Sequence, residues 1–357
     1  LLESYRRRRR YHRLRDGAFM SLEGLDLSEL ERLADDLGLA SADLASGRVE
    51  LPAWRAFYLD EALPDARRDE GFTRYVDRLR AVDPAAFPVP AGLRATLRPY
   101  QREGFGWLMA LTELGLGGIL ADEMGLGKSV QLIALILARA DELREDGGTL
   151  IVCPASLVYN WTAELRRFAP GLAVAAVAGP KRDRDRVRAR GADVLVTSYD
   201  LLRREAEARE GRELGLAVLD EAQYIKNQAT LTARAARRLA APRRLALTGT
   251  PVENRLSELW SIVDFLMPGL LGSYAGFSQR FEAPILGREE APDEQEAADA
   301  AARLAALVGP FVLRRLKADV LPDLPPKLEG VVPVPLRGEQ AKLYAACEQK
   351  LRRDLAA

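Results

Sequence analysis

The feature that most constrains the fold is a series of apolar, strand-length segments, most of which are separated by helical patterns. These segments are GGILA (117–121), TLIVC (149–153), ADVLVTS (192–198), LGLAVLD (214–220) and RRLALT (243–248). Strands that alternate with helices of about 10–15 residues form crossover units, and strands that are apolar throughout are typical of parallel sheets. We therefore predict an α/β fold in which helices cover both faces of a parallel sheet.

The stretch before this pattern is predicted to be a separate accessory segment. Residues 83–92 (DPAAFPVPAG) are rich in proline and predict a linker. Residues 1–90 carry short helical patterns, so we expect a small, mostly helical segment there. One helix is predicted over 27–38, with a capping box that begins at Ser28 and with Gly38 at its end.

The α/β pattern occupies residues 91–335 and forms the main predicted domain. Within it we expect a surface insertion near 270–306, where the chain becomes acidic and rich in alanine. Residues 336–357 are predicted to begin a connecting helix. Because the sequence starts on Leu1 and stops within a helical pattern, we expect it to be a piece of a longer chain.

Composition excludes several other classes of protein. The chain has 48% hydrophobic and 29% charged residues, which is typical of a globular protein and not of a disordered or collagen-like one. Its 52 basic and 52 acidic residues cancel, so no overall positive charge indicates a nucleic-acid partner. Cys153 and Cys347 form no CxxC motif, which favours a reducing, cytoplasmic compartment, and no apolar run predicts a membrane span.

The strongest chemical motif is ADEMGLGKSV at 121–130, which follows the first apolar strand and opens a helix. A glycine loop at this place cradles phosphates, because backbone N–H groups and the helix N-terminus attract anions. Lys128 would then reach the β- and γ-phosphates of a nucleotide, and the Ser129 hydroxyl would bind Mg²⁺. The strict pattern has glycine at the position of Asp122. A simple turn before a helix is the alternative interpretation.

A second motif, LDEAQ at 219–223, ends a later apolar strand. Carboxylates at the carboxyl end of a parallel strand lie on the edge where open α/β sheets bind ligands. Asp220 could hold Mg²⁺ through water, and Glu221 could orient and deprotonate the attacking water. The alternative is an acidic helix start that the helix dipole favours.

A third motif, LTGTP at 247–251, follows another apolar strand. It would place the hydroxyls of Thr248 and Thr250 in a loop beside the same sheet edge. Taken alone, an ordinary turn explains this motif equally well.

Together these motifs resemble the first motor lobe of Swi/Snf-type ATPases, the double-stranded-DNA translocases among superfamily-two helicase-like proteins. The resemblance covers about residues 97–345, and its segments follow the order of the family: LRPYQREGFGWL (97–108), DEMGLGKSVQ (122–131), IVCPASLVYNW (151–161), VTSYD (196–200), LDEAQYIKN (219–227), LTGTPVENRLSELWSI (247–262) and FVLRRLKADVLPDLPPK (311–327). It implies a RecA-like lobe, ATP and Mg²⁺ as cofactors and duplex DNA as partner. A dehydrogenase is excluded, because no GxGxxG follows a predicted strand.

The resemblance also assigns the residues of a nucleotide site. Lys128, Asp220 and Glu221 would be catalytic, and Ser129 and Asp220 would hold the metal ion. The family has aspartate at the first-glycine position, which accounts for Asp122. The residues expected to contact the nucleotide are Tyr100, Gln101, Asp122, Glu123, Met124, Gly125, Leu126, Gly127, Lys128 and Ser129, with Gln101 in the adenine-recognising position.

A further set would couple the nucleotide site to the rest of the motor. It comprises Gln223, Thr248, Gly249 and Thr250. Gln223 stands where many relatives have histidine, and it keeps a polar side chain but cannot titrate, so the coupling is expected to differ in detail.

Contacts to the DNA backbone are implied for two segments, IVCPASLVYNW (151–161) and VTSYD (196–200). Hydroxyl groups and helix N-termini are standard phosphate partners that carry no sequence information. The alternative is that these residues are helix caps. For the arginine run at 6–10, a solvated face is the alternative to DNA contact. The residues implied by the resemblance are Pro154, Ser156, Thr197, Ser198 and Tyr199.

The resemblance predicts a bacterial motor that hydrolyses ATP and tracks along duplex DNA without separating the strands. A strand-separating helicase of the same superfamily and a nucleotide-binding scaffold without turnover are the alternatives. No QxxxRxxRxGQ segment occurs, and because that segment belongs to a second lobe, we expect this chain alone to bind Mg²⁺-ATP without turnover. We expect a monomer in the bacterial cytoplasm, associated with the nucleoid, with no membrane partner. The cargo that such a motor would move could be a DNA-bound protein, and the sequence does not reveal which one.

Overall fold

The computed structural model describes residues 4, 9–13, 18–22, 24, 27–39, 43, 48–181, 191–206, 213–249, 255–287, 294–321, 335 and 337–356. The chain divides into two compact units, Leu1–Val320 and Leu321–Ala357. The first unit contains the sheet and every candidate site residue.

Among its described residues, the amino-terminal part of the first unit contains a strand pair and three α-helices. Strands β1 (Tyr11–Arg13) and β2 (Phe19–Ser21) are antiparallel and have no counterpart among the predicted elements, and they are followed by helices α1 (Ser28–Leu37), α2 (Ala56–Ala62) and α3 (Glu70–Arg80). The capping box expected at Ser28 is wrong, because Leu27 occupies the N-cap position and Ser28 lies inside the first turn. The predicted end at Gly38 is confirmed, since this glycine adopts the left-handed conformation with φ 70°.

A seven-stranded sheet forms the centre of the first unit, and each of its strand pairs is parallel. The strand order is β5-β6-β4-β7-β8-β3-β9. This confirms the predicted parallel sheet, and the two strands that the sequence analysis missed, β5 and β9, lie at its edges. The strands are β3 (Gly118–Leu120), β4 (Thr149–Cys153), β5 (Val174–Val177), β6 (Val194–Ser198), β7 (Leu216–Asp220), β8 (Arg243–Leu247) and β9 (Val312–Leu313).

Helices cover the sheet, and every residue of the central strands β4, β6 and β7 is buried. Burial on both faces explains why these strands read as continuous apolar runs, because each buried aliphatic side chain stabilises the fold by about 1.5–3 kcal/mol. The helices are α4 (Pro99–Glu113), α5 (Lys128–Ala138), α6 (Ala140–Glu145), α7 (Val158–Phe168), α8 (Tyr199–Arg204), α9 (Leu231–Arg237), α10 (Leu256–Leu266), α11 (Tyr274–Phe277), α12 (Ala283–Leu286), α13 (Glu294–Val308) and α14 (Lys317–Val320).

The strand order brings the predicted motifs to one edge of the sheet. Strand β8 pairs with β7 on one side and with β3 on the other, and Leu247 lies opposite both Asp220 and Leu120. The Thr248 N–H donates to the Leu120 carbonyl at 3.2 Å. The loops that follow β3, β7 and β8 therefore meet at the carboxyl edge, where open α/β sheets bind ligands.

A buried carboxylate joins the amino-terminal helices to the helices that follow α10. The Asp36 side chain in α1 has no exposed surface, and it accepts hydrogen bonds from the Tyr58 hydroxyl at 2.7 Å and from Arg303 Nη1 at 3.0 and 3.1 Å. Arg280, in the π-helical turn Ser278–Glu282, lies 3.4 Å from the same carboxylate. Arg55 donates to the Asp36 carbonyl at 2.8 Å, and burial lowers the pKa of this guanidinium to about 10. Residues from α1, α2 and the predicted insertion thus share one buried charge network, named here the Asp36 cluster.

The second unit contains helix α15 (Glu339–Ala356). It lies in the range where the start of a connecting helix was predicted. Within the ranges that the structure describes, no helix is long and apolar enough to cross a membrane.

Candidate nucleotide-binding site

The loop between β3 and α5 has the backbone of a phosphate-binding loop. Gly125 and Gly127 have φ values of 89° and 81°, in the left-handed region that favours glycine. A Cβ atom added at Gly127 would lie 2.5 Å from Gln101 Nε2, so a larger residue would also displace that side chain. Helix α5 starts directly after Gly127, and its first-turn N–H groups therefore supply donors for an anion at this place.

Lys128 lies inside this loop among acidic groups. Its Nζ donates to the Asp122 carbonyl at 2.7 Å. Burial lowers the pKa of Lys128, and the negative charges of Glu221, Asp122 and Asp220 oppose that shift in decreasing order. The fold therefore brings the cation of the first motif close to the carboxylates of the second.

The first turn of α4 is attached to the loop by two polar side chains. The Tyr100 hydroxyl and Gln101 Nε2 donate to the Leu126 carbonyl at 3.1 and 3.0 Å. Gln101 Oε1 accepts from the Arg98 N–H at 2.9 Å, which caps the helix. Tyr100 and Gln101 thus lie beside the phosphate loop, as a shared nucleotide site requires, and Met124 is exposed at the turn of the loop.

Asp122 does not simply replace a glycine, because its carboxylate anchors the loop. The side chain is fully buried, and Arg315 donates to it from Nε at 2.9 Å and from Nη2 at 2.6 Å. Gln131 Nε2 also donates to it, at 3.2 Å. The paired geometry of arginine and carboxylate is a strong, charge-assisted contact. Arg315 also donates to the Tyr100 carbonyl, so it links the loop to α4.

The sequence analysis missed Arg315, Gln131 and Lys317 as site residues. The Lys317 N–H donates to Glu123 Oε2 at 2.7 Å, which adds a second contact between the loop and the segment after β9. The signal was present, because FVLRRLKADVLPDLPPK was one of the segments that carried the family resemblance. Only the fold shows that this segment reaches the phosphate loop.

Replacing Arg315 with methionine is expected to weaken ATP binding about tenfold, since a hydrogen bond to a buried charged group contributes about 1.5–3 kcal/mol. Asp122 would lose its guanidinium partner, and the loop would be held less firmly. The neighbouring Arg314 is exposed, so Arg314→Met is the matched control for loss of positive charge. Calorimetric titration with Mg²⁺-ATP measures both variants. Equal affinities would show that the Arg315 contact does not shape the loop.

The second motif ends β7 with a carboxylate that two N–H groups hold. Asp220 Oδ2 accepts from Trp161 Nε1 at 2.7 Å, and Oδ1 accepts from the Glu221 N–H at 3.0 Å. Burial raises the pKa of Asp220, and the hydrogen bond from Trp161 opposes that shift. Glu221 has φ 51°, and among the described residues it is the only non-glycine residue with a positive φ. Such strain costs about 1–3 kcal/mol and is concentrated at functional sites.

Three polar side chains connect the second motif to the third. Gln223 Nε2 donates to Glu221 Oε2 at 2.9 Å, and the Thr248 hydroxyl donates to Gln223 Oε1 at 3.1 Å. A Cβ atom added at Gly249 would lie 3.2 Å from Met124 Cγ, so the third motif also adjoins the phosphate loop. An amide can donate and accept at the same time, which is what Gln223 does here. Thr250, the remaining predicted coupling residue, lies outside the described residues.

The predicted metal ligands fit an ion that arrives with a nucleotide. Among the described residues, no group of three or more His, Cys, Asp or Glu side chains could hold a metal ion. Mg²⁺ is usually held by one or two carboxylates together with substrate phosphates. A single carboxylate, Asp220, and the hydroxyl of Ser129 at the start of α5 match that donor set.

The residues implied for DNA contact lie at or just after the carboxyl ends of β4 and β6, which are neighbouring strands. Ser156 is exposed in the short turn Ala155–Leu157, whereas Pro154 is buried. Thr197 donates to the Val177 carbonyl at 3.3 Å, and Ser198 accepts from the Leu201 N–H at 3.3 Å as the cap of α8. The Tyr199 side chain is buried, and its hydroxyl donates to the Asp220 carbonyl at 2.8 Å.

These five residues therefore share an edge of the sheet, and Ser198 has the capping role that was kept as the alternative. Their contact with DNA stays a prediction. Arg9 and Arg10 of the basic run are exposed, and 6–8 lie outside the described residues.

The sheet and its loops define the class of protein. A glycine loop follows β3, an Asp-Glu pair follows β7, and both open on the same edge of a parallel sheet covered by helices. This arrangement is that of a RecA-like lobe.

Residues 100–357 match the SNF2-related domain family, and residues 1–90 match the bacterial SNF2 helicase-associated family. The first match covers well over half of the chain. The chain therefore belongs to the SNF2 family of helicase-like ATPases, and the resemblance found in its sequence is confirmed.

Individual relatives agree with this classification. The chain is 44% identical over 261 residues to YwqA of Bacillus subtilis, whose name describes an ATP-dependent helicase/translocase, and the match covers 72% of this chain and 28% of YwqA. It is 42% identical over 259 residues to the TATA-binding protein-associated factor MOT1 of Saccharomyces cerevisiae, with 68% and 14% covered. The chain thus spans about a quarter or less of these relatives.

A solved structure is similar as well. The Sulfolobus solfataricus SWI2/SNF2 ATPase core in complex with double-stranded DNA has a TM-score of 0.59 and 39% identity, over 76% of this chain and 56% of that one. The Sulfolobus solfataricus SWI2/SNF2 ATPase core domain gives a TM-score of 0.57 and 40% identity, over 74% of this chain and 53% of that one.

Proposed function

We propose that this chain is the ATP-binding lobe of a motor that hydrolyses ATP and moves along duplex DNA without separating its strands. One observation carries the proposal. Lys128, the cation of the phosphate loop after β3, and the acidic pair Asp220 and Glu221 at the end of β7 lie on one carboxyl edge of the parallel sheet, which also bears the predicted DNA-contacting segments. Similarity to an ATPase core in complex with double-stranded DNA supports the choice of partner.

Each site residue has a role that follows from its position. The loop N–H groups and Lys128 bind the phosphates, and Gln101, as the family resemblance implies, would recognise adenine. Ser129 and Asp220 would hold Mg²⁺, which neutralises charge that develops on the phosphoryl oxygens. Glu221 orients the attacking water and accepts its proton.

Gln223 fixes one Glu221 oxygen by a hydrogen bond at 2.9 Å and links it to Thr248. The strained backbone at Glu221 is held in place by the surrounding fold. A base whose side chain and backbone are both fixed needs little reorganisation when water attacks.

Turnover and translocation are proposed for the whole protein, because the chain covers 28% of YwqA and 56% of the Sulfolobus core. A second lobe would supply arginine to the γ-phosphoryl group, and this chain alone would then bind Mg²⁺-ATP without turning it over. The proposed cargo is a DNA-bound protein, in line with the name of the relative MOT1, and the proposed place of action is the bacterial nucleoid.

Duplex DNA is expected to stimulate ATP hydrolysis by the whole protein more than single-stranded DNA or RNA does, with little dependence on sequence. The reason is that backbone contacts carry no sequence information. DNA affinity should fall steeply as salt rises, because phosphate contacts release counterions. Steady-state hydrolysis with each nucleic acid, at two salt concentrations, measures both effects. Equal stimulation by single strands, or ready strand separation, would favour a helicase, and no turnover with any nucleic acid would favour a scaffold.

A further inference from the structure

Trp161 makes the shortest hydrogen bond to the Asp220 carboxylate. The residue lies in α7 and is 2% exposed, and its indole N–H reaches Asp220 Oδ2 at 2.7 Å. The other carboxylate oxygen is held by the Glu221 N–H. An indole nitrogen is a donor only, and here it donates to a side-chain oxygen of Asp220, so the contact holds that side chain in one orientation. If Trp161 only filled space in the core, any large apolar ring could replace it.

The position of Trp161 in the chain connects Asp220 to a predicted DNA-contacting segment. Helix α7 begins at Val158, directly after the exposed turn Ala155–Leu157 that contains Ser156. Trp161 lies one helical turn into α7, and a helix moves as a rigid element over so short a distance. A contact at Ser156 that shifts the start of α7 would therefore shift the indole against Asp220.

A second contact reaches Asp220 from the other predicted segment. The Tyr199 hydroxyl donates to the Asp220 carbonyl, and the Tyr199 ring stacks on the exposed Tyr224 ring with centroids 4.9 Å apart. Each of the two segments expected to contact DNA thus makes a hydrogen bond to Asp220. One bond is to the side chain and the other is to the backbone carbonyl. Of these two contacts, that of Trp161 is made to the carboxylate and that of Tyr199 to the backbone carbonyl, so Trp161 is the residue that can orient the side chain.

We infer that Trp161 is a positioning residue, which fixes the Asp220 carboxylate for Mg²⁺ and couples that carboxylate to DNA contact at the start of α7. The inference rests on the proposed function. Partners that orient a metal ligand typically change metal affinity by about 10–100-fold when they are removed. Coupling between two binding sites is reciprocal, so DNA and Mg²⁺-nucleotide change each other's affinity by the same factor.

The first test compares Trp161→Phe with the matched control Trp260→Phe in the whole protein. Trp260 is also buried, and its indole donates to the Gly272 carbonyl at 3.2 Å, so both variants lose one ring and one hydrogen bond. The Mg²⁺ affinity is measured by calorimetry in the presence of a non-hydrolysable ATP analogue. We expect about tenfold weaker Mg²⁺ binding in Trp161→Phe and a change below about twofold in Trp260→Phe. An unchanged affinity in Trp161→Phe overturns the inference.

Circular dichroism verifies that both variants are folded. If Trp161→Phe does not fold, a benzothiophene analogue of tryptophan at position 161 keeps the shape of the ring and lacks the N–H donor. The same tenfold loss is expected with the analogue, and wild-type affinity overturns the inference.

The second test measures how duplex DNA changes the Mg²⁺-analogue affinity. Duplex DNA is expected to change this affinity in the wild type and in Trp260→Phe, whereas in Trp161→Phe the ratio of the affinities with and without DNA should be close to one. If DNA still changes the affinity in Trp161→Phe, the coupling is overturned. A wild type that binds no duplex DNA would instead overturn the proposed function, and the first test would still decide whether Trp161 positions Asp220.

Discussion

Replacing Glu221 with glutamine is expected to lower ATP turnover by the whole protein by about 10²–10⁴-fold, the usual contribution of a general base. Glutamine has nearly the same shape and can still accept the hydrogen bond from Gln223, but it cannot take a proton from water. ATP binding depends on the phosphate loop and should stay within about twofold of the wild type. Single-turnover hydrolysis and calorimetric ATP titration separate the two effects.

Lys128→Ala is the control for this experiment. It removes the cation inside the loop, so ATP binding itself should be lost, and any residual hydrolysis in that variant measures contaminating ATPase. Hydrolysis at the wild-type rate in Glu221→Gln would show that another residue is the base. Lost ATP binding in Glu221→Gln would show that the carboxylate serves the loop instead.

Replacing Asp36 with alanine is expected to lower the free energy of unfolding by about 3–5 kcal/mol, because it removes a fully buried carboxylate from its ion pairs. Arg303 and Arg280, which are partly exposed, would lose their counter-charge, and Tyr58 would lose the acceptor of its hydroxyl. Since the Asp36 cluster joins α1 and α2 to the helices after α10, the contact between these two groups of helices should be the first to open in the variant. Chemical denaturation followed by circular dichroism measures the change.

Asp35→Ala is the matched control, because it removes an acidic residue from the same helix at an exposed position. Its effect should stay within about 0.5 kcal/mol, as is usual for surface substitutions. If Asp36→Ala is no worse than Asp35→Ala, the buried cluster does not hold these helices together. Retained ATP affinity at low denaturant would place any loss at the amino-terminal contact and not at the nucleotide site.

Much of the fold and of the site is determined by local pattern. Apolar runs of strand length predicted the five inner strands of the sheet, because burial on both faces demands continuous apolar residues. Gly125 and Gly127 mark the phosphate loop, because only glycine adopts positive φ values there without strain. Glu221 follows β7 directly, and Lys128 ends the short loop after β3, so their place at the carboxyl edge needs only strand direction and order.

What the sequence did not show is which distant side chains meet. The edge strands β5 and β9 are four and two residues long and only partly buried, so they leave little periodic signal. Ser28 matched a capping pattern, but the helix began one residue too early for it to cap. A local pattern cannot decide between neighbouring start positions when packing of the helix fixes the boundary.

The contacts that shape the site lie further apart still. Arg315 and Asp122 are 193 residues apart, Arg303 and Asp36 are 267 apart, and Trp161 and Asp220 are 59 apart. Each partner alone reads as an ordinary arginine, acid or tryptophan. The sequence by itself determined the strands, the glycine loop and the acidic pair, since these depend on neighbours in the chain. Only the tertiary structure decided how the carboxylates are held, because a buried charge takes its partner from whichever element packs beside it.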